Sequence, residues 1–478
     1  MAQQVSIGSI AQSGTCSVAG VIGNVTVNCP GIDRAVTRLL EAQFNARLRE
    51  RDLTINQIRK ESNDWRDRFL DLMSRLADAS IHGGLERRAL ALLNAGKFDE
   101  AGILLDEAIT EGEKDVDQAA KDQFERAGIY ELRFLPDQAL SHYKKAYGYR
   151  PDIPEYGVAY ANLLAKQQDF AGADSVYQAV LRVCRDRVRT DPETYRPALA
   201  KTLSNLANVY ASTQRWEEAS RSYSEALLTI RGLAQNYPEM YRPALAGMLS
   251  NLGNLCLSTH KPREASVSYT EALQIYRDLA RTDPNIFRQY LAMTLLDVGT
   301  LYAETGLLRD AENAYSEALQ TYRDLVKSSP GAYLPIFAGT LDNLGSVYLS
   351  AGRLKEAVDS YSEALQVRRE LAKGNPDAYR SDLARTLNNI GGLYLITRRL
   401  KEADDAYTEA LVIRRDLVTT NPRTYLPALA NTLNDLAATY AAEGEAEKAA
   451  GACSEVAAIL KQVPAEAGPQ SIPSCIAK

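Results

Sequence analysis

One stretch of this chain returns at a fixed interval, and that alone excludes most folds. Asn205-Leu206-Ala207 comes back as Asn251-Leu252-Gly253, Asp297-Val298-Gly299, Asn343-Leu344-Gly345, Asn389-Ile390-Gly391 and Asp435-Leu436-Ala437, each 46 residues on. The block that begins Tyr223-Ser224-Glu225-Ala226-Leu227 returns at Tyr269, Tyr315, Tyr361 and Tyr407 in the same register. Pro192, Pro238, Pro284, Pro330, Pro376 and Pro422 mark the unit boundaries. Repetition without insertion marks stacked units, each of which buries its apolar face only against its neighbours.

Each unit reads as two helices. Leu199, Leu203, Leu206 and Tyr210 step by 4, 3 and 4, which is one helical face. Trp216, Ala219, Tyr223, Ala226, Leu227, Ile230 and Leu233 make a wider stripe of the same period. Short turns lie between, such as Thr305-Gly306-Leu307 and Ala351-Gly352-Arg353, where glycine is free to take the left-handed conformation. Asx-Pro, as in Asn375-Pro376 and Asn421-Pro422, ends four of the six units. Proline denies the outgoing helix an N–H and biases the residue before it away from helix. Helices of about 20 residues, roughly 30 Å long, are expected.

Small residues recur where helix axes must approach. Ala219, Ala265, Ala311, Ala357, Ala403 and Ala449 share one position; Ala226, Ala272, Ala318, Ala364 and Ala410 share another. A larger side chain there would force the helices apart at a cost of about 1–3 kcal/mol or more. Tyrosines of the Tyr210 and Tyr223 positions fill the gaps beside them. The excess of 26 Tyr over 8 Phe and 2 Trp is thereby explained as packing.

This order of Leu, Gly or Ala, Tyr, Gly, Ala, Tyr and Ala resembles the tetratricopeptide repeat (TPR) family. The asparagine-bearing block and the longer unit are most similar to its kinesin-light-chain-like branch. Upstream, the key alanine continues as Ala173, Ala139 and Ala101, at spacings of 34 and 38, beside the usual family repeat of about 34. Ala127…Tyr130…Leu135-Pro136-Asp137…Ala139…Tyr143…Ala146…Pro151 is similar to the short form. The resemblance implies an all-α, right-handed α-solenoid of about nine TPR helix pairs over 85–461.

The flanking segments differ in kind. In the ninth repeat Cys453 stands at the tyrosine position and Val456 at the alanine position, as the altered outer face of a terminal unit requires. Residues 462–478 carry Pro464, Gly468, Pro469 and Pro473 and read as a flexible tail. Over 34–80, Phe44, Leu48, Ile55, Ile58, Trp65, Phe69, Leu72 and Leu76 fall on coiled-coil a and d positions, with Arg51 and Ser62 interrupting. That helix either caps the first repeat, docks another protein, or self-associates through Leu48, Ile55, Ile58, Trp65, Phe69, Leu72 and Leu76. Residues 1–33 alternate Val and Ile with Ser, Gly, Asn and Thr, which predicts a short β-like segment with Gly-Asn turns.

Composition narrows the function. With 55 Lys plus Arg against 61 Asp plus Glu, the formal charge of −6 gives no general attraction to nucleic acid or anionic membrane. No apolar run of 18 residues predicts a membrane span, and residues 1–32 lack the charged start of a signal peptide. Cys16, Cys29, Cys184, Cys256, Cys453 and Cys475 form no CxxC, so a reducing cytoplasm is the default reading, with a Cys16–Cys29 bridge the alternative. Neither GxSxG nor HExxH occurs, and Gly96-Lys97 runs into Phe98 where a phosphate loop needs Ser or Thr. His82, His142 and His260 are unpaired with any nucleophile or second ligand and read as surface or turn histidines. Cys256 and Cys453 read as small core substitutes. No catalytic, cofactor or metal site is expected.

Surface remains. The resemblance implies that the first helix of each unit lines a concave groove, and by phase the residue before core Leu206 points into it. Asn205, Asn251, Asn343 and Asn389 then form a row, with Asp297 and Asp435 as acidic rungs and Asn208 and Asn254 almost one turn further. In kinesin-light-chain-like proteins such asparagines hold the backbone of an extended peptide; an amide suits this because it both donates and accepts. The alternative is that they bond neighbouring repeats. Gly247, Met293, Gly339 and Arg385, in line with Lys201, give no basic row for a carboxylate clamp, while Leu395 and Ile396 suggest an apolar patch. The expected function is a protein-interaction scaffold with a peptide or protein partner. Two alternatives stay open: a homo-oligomeric assembly protein built through residues 1–80, and a regulatory or sensor subunit controlling a separate effector enzyme in bacterial signalling or defence.

Overall fold

The computed structural model describes residues 17–21, 24–29, 32–49, 65–73, 84–112, 116–328 and 330–461. Strands β1 (Ser17–Val21) and β2 (Asn24–Asn28) pair as a two-stranded sheet. Helix α1 (Arg34–Arg49) follows, then α2, described over 65–73.

Beyond these, the described elements are all helices, in nine consecutive pairs. The short-form pairs are α3 (Gly84–Asn94) with α4 (Phe98–Gly112), α5 (Val116–Leu132) with α6 (Pro136–Tyr149), and α7 (Pro154–Lys166) with α8 (Phe170–Arg187). The first long-form pairs are α9 (Pro192–Ser212) with α10 (Trp216–Asn236), α11 (Pro238–Ser258) with α12 (Pro262–Thr282), and α13 (Pro284–Glu304) with α14 (Leu308–Ser328). Then come α15 (Pro330–Ser350) with α16 (Leu354–Gly374), α17 (Pro376–Ile396) with α18 (Leu400–Thr420), and α19 (Pro422–Glu443) with α20 (Ala446–Leu460). The chain is an all-α solenoid. It divides between Leu301 and Tyr302 into two compact units, the first holding most of α1–α13 and the second α14–α20.

The repeated prolines occupy the first position of the first helices, where a missing N–H costs nothing. The Asx residue before them does more than end the previous helix. Asp191, Asp283, Asn375 and Asn421 each accept a bond from a backbone N–H three residues on, at 3.2–3.3 Å, and so cap the next helix. At the turns inside the pairs, Gly306 and Gly352 have φ of +75° and +72°, as expected. Gln214, His260 and Arg398 hold the same left-handed turn in other pairs at φ +56° to +59°, so glycine is favoured there and not required.

The core follows the period. Ala219, Ala226, Ala265, Ala272, Ala357, Ala364, Ala403 and Ala410 are completely buried, and Tyr223, Tyr269, Tyr361 and Tyr407 lie beside them at 2% exposure or less. Each of the last three rings presses on a glycine of the preceding helix. A Cβ added at Gly253, Gly345 or Gly391 would come within 2.5, 2.8 or 2.9 Å of Tyr269, Tyr361 or Tyr407. In the final pair Ala449 is only half-buried.

Helices α1 and α2 pack onto the first repeats. Phe44 of α1 meets Phe134 at 5.1 Å between ring centres. In α2, Trp65 stacks on Phe69 at 5.2 Å, both rings face Phe98, and Trp65 Nε1 donates to the Leu132 carbonyl at 2.8 Å. Trp65, Phe69 and Leu72 are thus buried within this chain's own core. As self-association residues these three are corrected by that burial: they form part of a cap on the repeats. The side chain of Leu48 and residues Ile55, Ile58 and Leu76 lie outside the described set.

The expectation of reduced thiols also changes. Cys29 and Cys453 each take part in a disulfide, whereas Cys184 and Cys256 are free and buried. Cys453 is therefore not a small inert substitute for tyrosine, although Cys256, 6% exposed, is a core residue as expected. Burial pushes the Cys184 thiol up to about 11, which keeps it protonated and unreactive.

Candidate partner-binding groove

The first helices present the same register in each long unit, and the second helices fix part of it. Tyr223 OH donates to Asn208 Oδ1, and Tyr269 OH donates to Asn254 Oδ1 at 2.6 Å. One 46-residue step upstream, Tyr177 OH donates to Asn162 Oδ1. That oxygen also accepts from Asn205 Nδ2 at 2.9 Å, a bond from one repeat to the next. Burial pushes the Tyr177 and Tyr223 phenols up, so they stay protonated as donors. Asn162 was missed in the sequence because the short repeats have no asparagine block; stepping back 46 residues from Asn208 finds it.

In the first unit these residues floor a cleft of about 840 Å³. Asn162, Lys201, Asn205, Asn208 and Ser212 line it from α7 and α9, and Arg68 and Asp71 of α2 line it as well. Arg68 is held by Glu131 at 2.8 Å, and Glu131 in turn accepts from Tyr143 OH at 2.7 Å. Asn208 and Asn254 are exposed despite their bonded oxygens, and Asn251 is half-buried with its amide bonded to no other described group. Asp297 stands at the next rung, half-buried. Desolvation pushes its carboxyl up to about 6.

In the second unit Asn343 and Asn389 are half-buried and carry no bond to another described side chain. Asp435 is committed: its Oδ2 accepts from Asn388 Nδ2 at 2.8 Å, and burial pushes its carboxyl up against that bond and the Arg414 charge. Of the eight expected groove residues, then, Asn205 and Asp435 bond neighbouring repeats, Asn208 and Asn254 bond their own tyrosines, and Asn251, Asp297, Asn343 and Asn389 are open.

Behind this row lies a buried charge network that periodicity did not reveal. Asp342, next to Asn343, accepts from Arg368 Nη2 at 3.1 Å and from Thr386 Oγ1 at 2.9 Å. Arg368 Nη1 lies 2.8 Å from Asp382, and Arg385 reaches Asp382 at 3.1 Å. The available signal was a break in the repeat: Asp342 stands where other units have Ser204 and Ser250, and Arg368 where they have Ile230 and Tyr276. A second set of charges does keep the period. Arg185–Glu225 and Arg231–Glu271 in the first unit, and Arg323–Glu363, Arg369–Glu409 and Arg415–Glu455 in the second, join successive second helices. Being exposed, each contributes about 0–1 kcal/mol.

No group of three His, Cys, Asp or Glu among the described residues could hold a metal ion. His142 bonds Gln123 at 2.7 Å, and burial lowers its pKa to about 4, so it is a neutral packed histidine and not a surface one. His260 sits in a turn, as expected. No described helix is long and apolar enough to cross a membrane.

The tetratricopeptide-repeat family model matches residues 198–278 and 337–416. Among solved structures, BtubC (BKLC) from P. vanneervenii is 25% identical, covering 52% of this chain and 91% of its own, with a TM-score of 0.43. A Signal Transduction ATPase with Numerous Domains protein with a tetratricopeptide-repeat sensor, from Pyrococcus horikoshii, is 15% identical over 88% of this chain and 73% of its own, with a TM-score of 0.52. No curated protein matches. The two family-model matches fall on the 46-residue helix pairs, so the chain carries tetratricopeptide repeats over residues 198–278 and 337–416.

Proposed function

We propose that this chain is a non-enzymatic interaction scaffold that holds an extended peptide, or an extended segment of a partner protein, along the first helices of its repeats. One observation carries the reading. Asn251, Asn343 and Asn389 recur at one groove position and are half-buried, yet their amides bond nothing else described in the chain. None of these amides is among the buried polar atoms left without a partner, so water satisfies them in the free protein and a ligand that offers the same bonds can take its place. A peptide main chain, offering one N–H and one C=O per residue, does so without regard to its side chains. The cleft in the first unit, with Asn162, Asn205 and Asn208 on its floor, supports the same occupant. The net charge of −6 favours a protein partner over nucleic acid or an anionic membrane.

The test is selection of 12-residue peptides from a random displayed library against the full chain, followed by calorimetric titration. Peptides that bind wild type and lose affinity to either the Asn251→Ala variant of the first unit or the Asn343→Ala, Asn389→Ala variant of the second support the reading. Peptides that bind all three proteins equally, or no enrichment at all, overturn it.

A further inference from the structure

The buried tyrosines of the first unit set the polarity of the groove asparagines. Tyr177 and Tyr223 are each 1% exposed, so each phenol proton needs an acceptor within the protein. Among the described residues, the Tyr177 hydroxyl donates to Asn162 and the Tyr223 hydroxyl to Asn208; Asn205 also reaches the Tyr177 oxygen, but as a donor, so it takes no proton from it. An amide nitrogen has no lone pair to offer, so the asparagine must turn its oxygen inward to take the proton. Its NH2 group is then left facing away from the tyrosine. Asn208 is exposed, so its NH2 is presented outward, and Asn254 holds the same bond to Tyr269 at 2.6 Å. At Asn162 a second donor, Asn205 Nδ2, reaches the same oxygen, which requires the same orientation and leaves Asn205 with its own oxygen free.

We propose that Tyr177, Tyr223 and Tyr269 are positioning residues of the groove: each fixes its asparagine so that Asn162, Asn208 and Asn254 present donors only. The bound segment meets them with acceptors, the main-chain carbonyl oxygens of an extended peptide. This deepens the peptide-binding reading and rests on it. Orientation fixed before binding removes an ordering cost that a freely rotating amide would bear at each contact.

Two paired variants separate positioning from packing. Tyr223→Phe with Tyr269→Phe keeps both rings and deletes both hydroxyls. Asn208→Asp with Asn254→Asp keeps an oxygen for each tyrosine but turns the outward donor into an acceptor. The probe is the tightest 12-residue peptide selected against the full chain. The Asp pair is expected to weaken it tenfold or more, and the Phe pair on the order of three- to tenfold, the loss from about one hydrogen bond's worth of preorganisation. A purely structural hydroxyl would lower the melting temperature and leave affinity unchanged. In the free protein, the Phe pair is expected to move the side-chain amide NMR signals of Asn208 and Asn254 and no others in the groove. Wild-type affinity in the Asp pair, or unmoved amide signals in the Phe pair, overturns the proposal. If no peptide can be selected, the peptide reading fails with its bound carbonyls, while the amide signals still report whether the tyrosines orient the asparagines.

Discussion

The Arg368 guanidinium lies 3.1 Å from the Asp342 carboxylate, and both side chains are 1% exposed. Burial pushes the Asp342 carboxyl up, while Arg368, Arg385 and Thr386 oppose that shift, so the carboxylate depends on its partners. Removing one member of such a pair leaves an uncompensated charge in the core, at a cost of about 3–5 kcal/mol. Arg368→Met should therefore destabilise the second unit strongly. Asp342→Ser with Arg368→Tyr, which copies Ser250 and Tyr276 of an earlier repeat, should recover most of that loss. Urea unfolding, with hydrogen exchange over α15 and α16 to localise the effect, checks both; equal damage from single and double variants would refute the pairing argument.

Asp297 makes stability depend on pH in the direction opposite to a salt-bridged acid. Its carboxyl is raised to about 6 by desolvation alone. Below the unfolded pKa both states are protonated and no penalty exists. As pH climbs towards 6 the unfolded carboxyl ionises first, so stability falls across this window, by about 2–3 kcal/mol at most. Asp297→Asn should flatten that part of the profile and stabilise the protein at pH 7. Thermal melts at pH 4.5 and 7 provide the comparison, and an identical pH dependence in the variant would contradict the assignment.

The tyrosine–glycine contact is tight enough to limit substitution. A Cβ at Gly345 would lie 2.8 Å from the Tyr361 ring, which is itself held by the bond to Ser346 at 2.8 Å. Gly345→Val should cost about 1–3 kcal/mol or more by overpacking, despite the helix propensity gained over glycine. At exposed Gly232, where an added Cβ meets nothing, Gly232→Ala should instead stabilise by up to about 1 kcal/mol. Differential scanning calorimetry of the two variants reads opposite shifts.

Two cysteines carry a prediction of their own. With Cys29 and Cys453 disulfide-bonded, thiol titration of the denatured, unreduced chain should find fewer than its 6 cysteines, and all 6 after reduction. Peptide mapping should find Cys184 and Cys256 among the free ones. Six free thiols in the unreduced protein would restore the reading made from the sequence.

The repeat made the paired helices, the alanine contacts and the tyrosine packing legible, because a period of 46 residues aligns like with like and exposes which positions must stay small. The same averaging concealed what is particular to single units. Asp342 departs from the pattern in its own unit, Arg368 recurs only as Arg414 in the next, and nothing in the sequence says that positions 26 residues apart touch. The asparagine row was legible as a row, but its internal bonds were not. Whether an amide faces a ligand or a neighbour depends on side-chain distances: Asn205 found Asn162 in the repeat before it, and Asp435 found Asn388. For α2, a heptad pattern is satisfied equally by a second copy and by the chain's own first repeats; Phe98 and the Leu132 carbonyl supply the partners.

The central claim is that the open asparagines hold a peptide, and calorimetric titration of a selected 12-residue peptide against wild type, the Asn251→Ala variant of the first unit and the Asn343→Ala, Asn389→Ala variant of the second tests it most directly. Because these amides bond no other described side chain, both variants should unfold at the wild-type temperature, and the variant of the unit that holds the peptide should bind it at least tenfold more weakly. Unchanged affinity in both normally folded variants would contradict the account and remove these asparagines as the binding row.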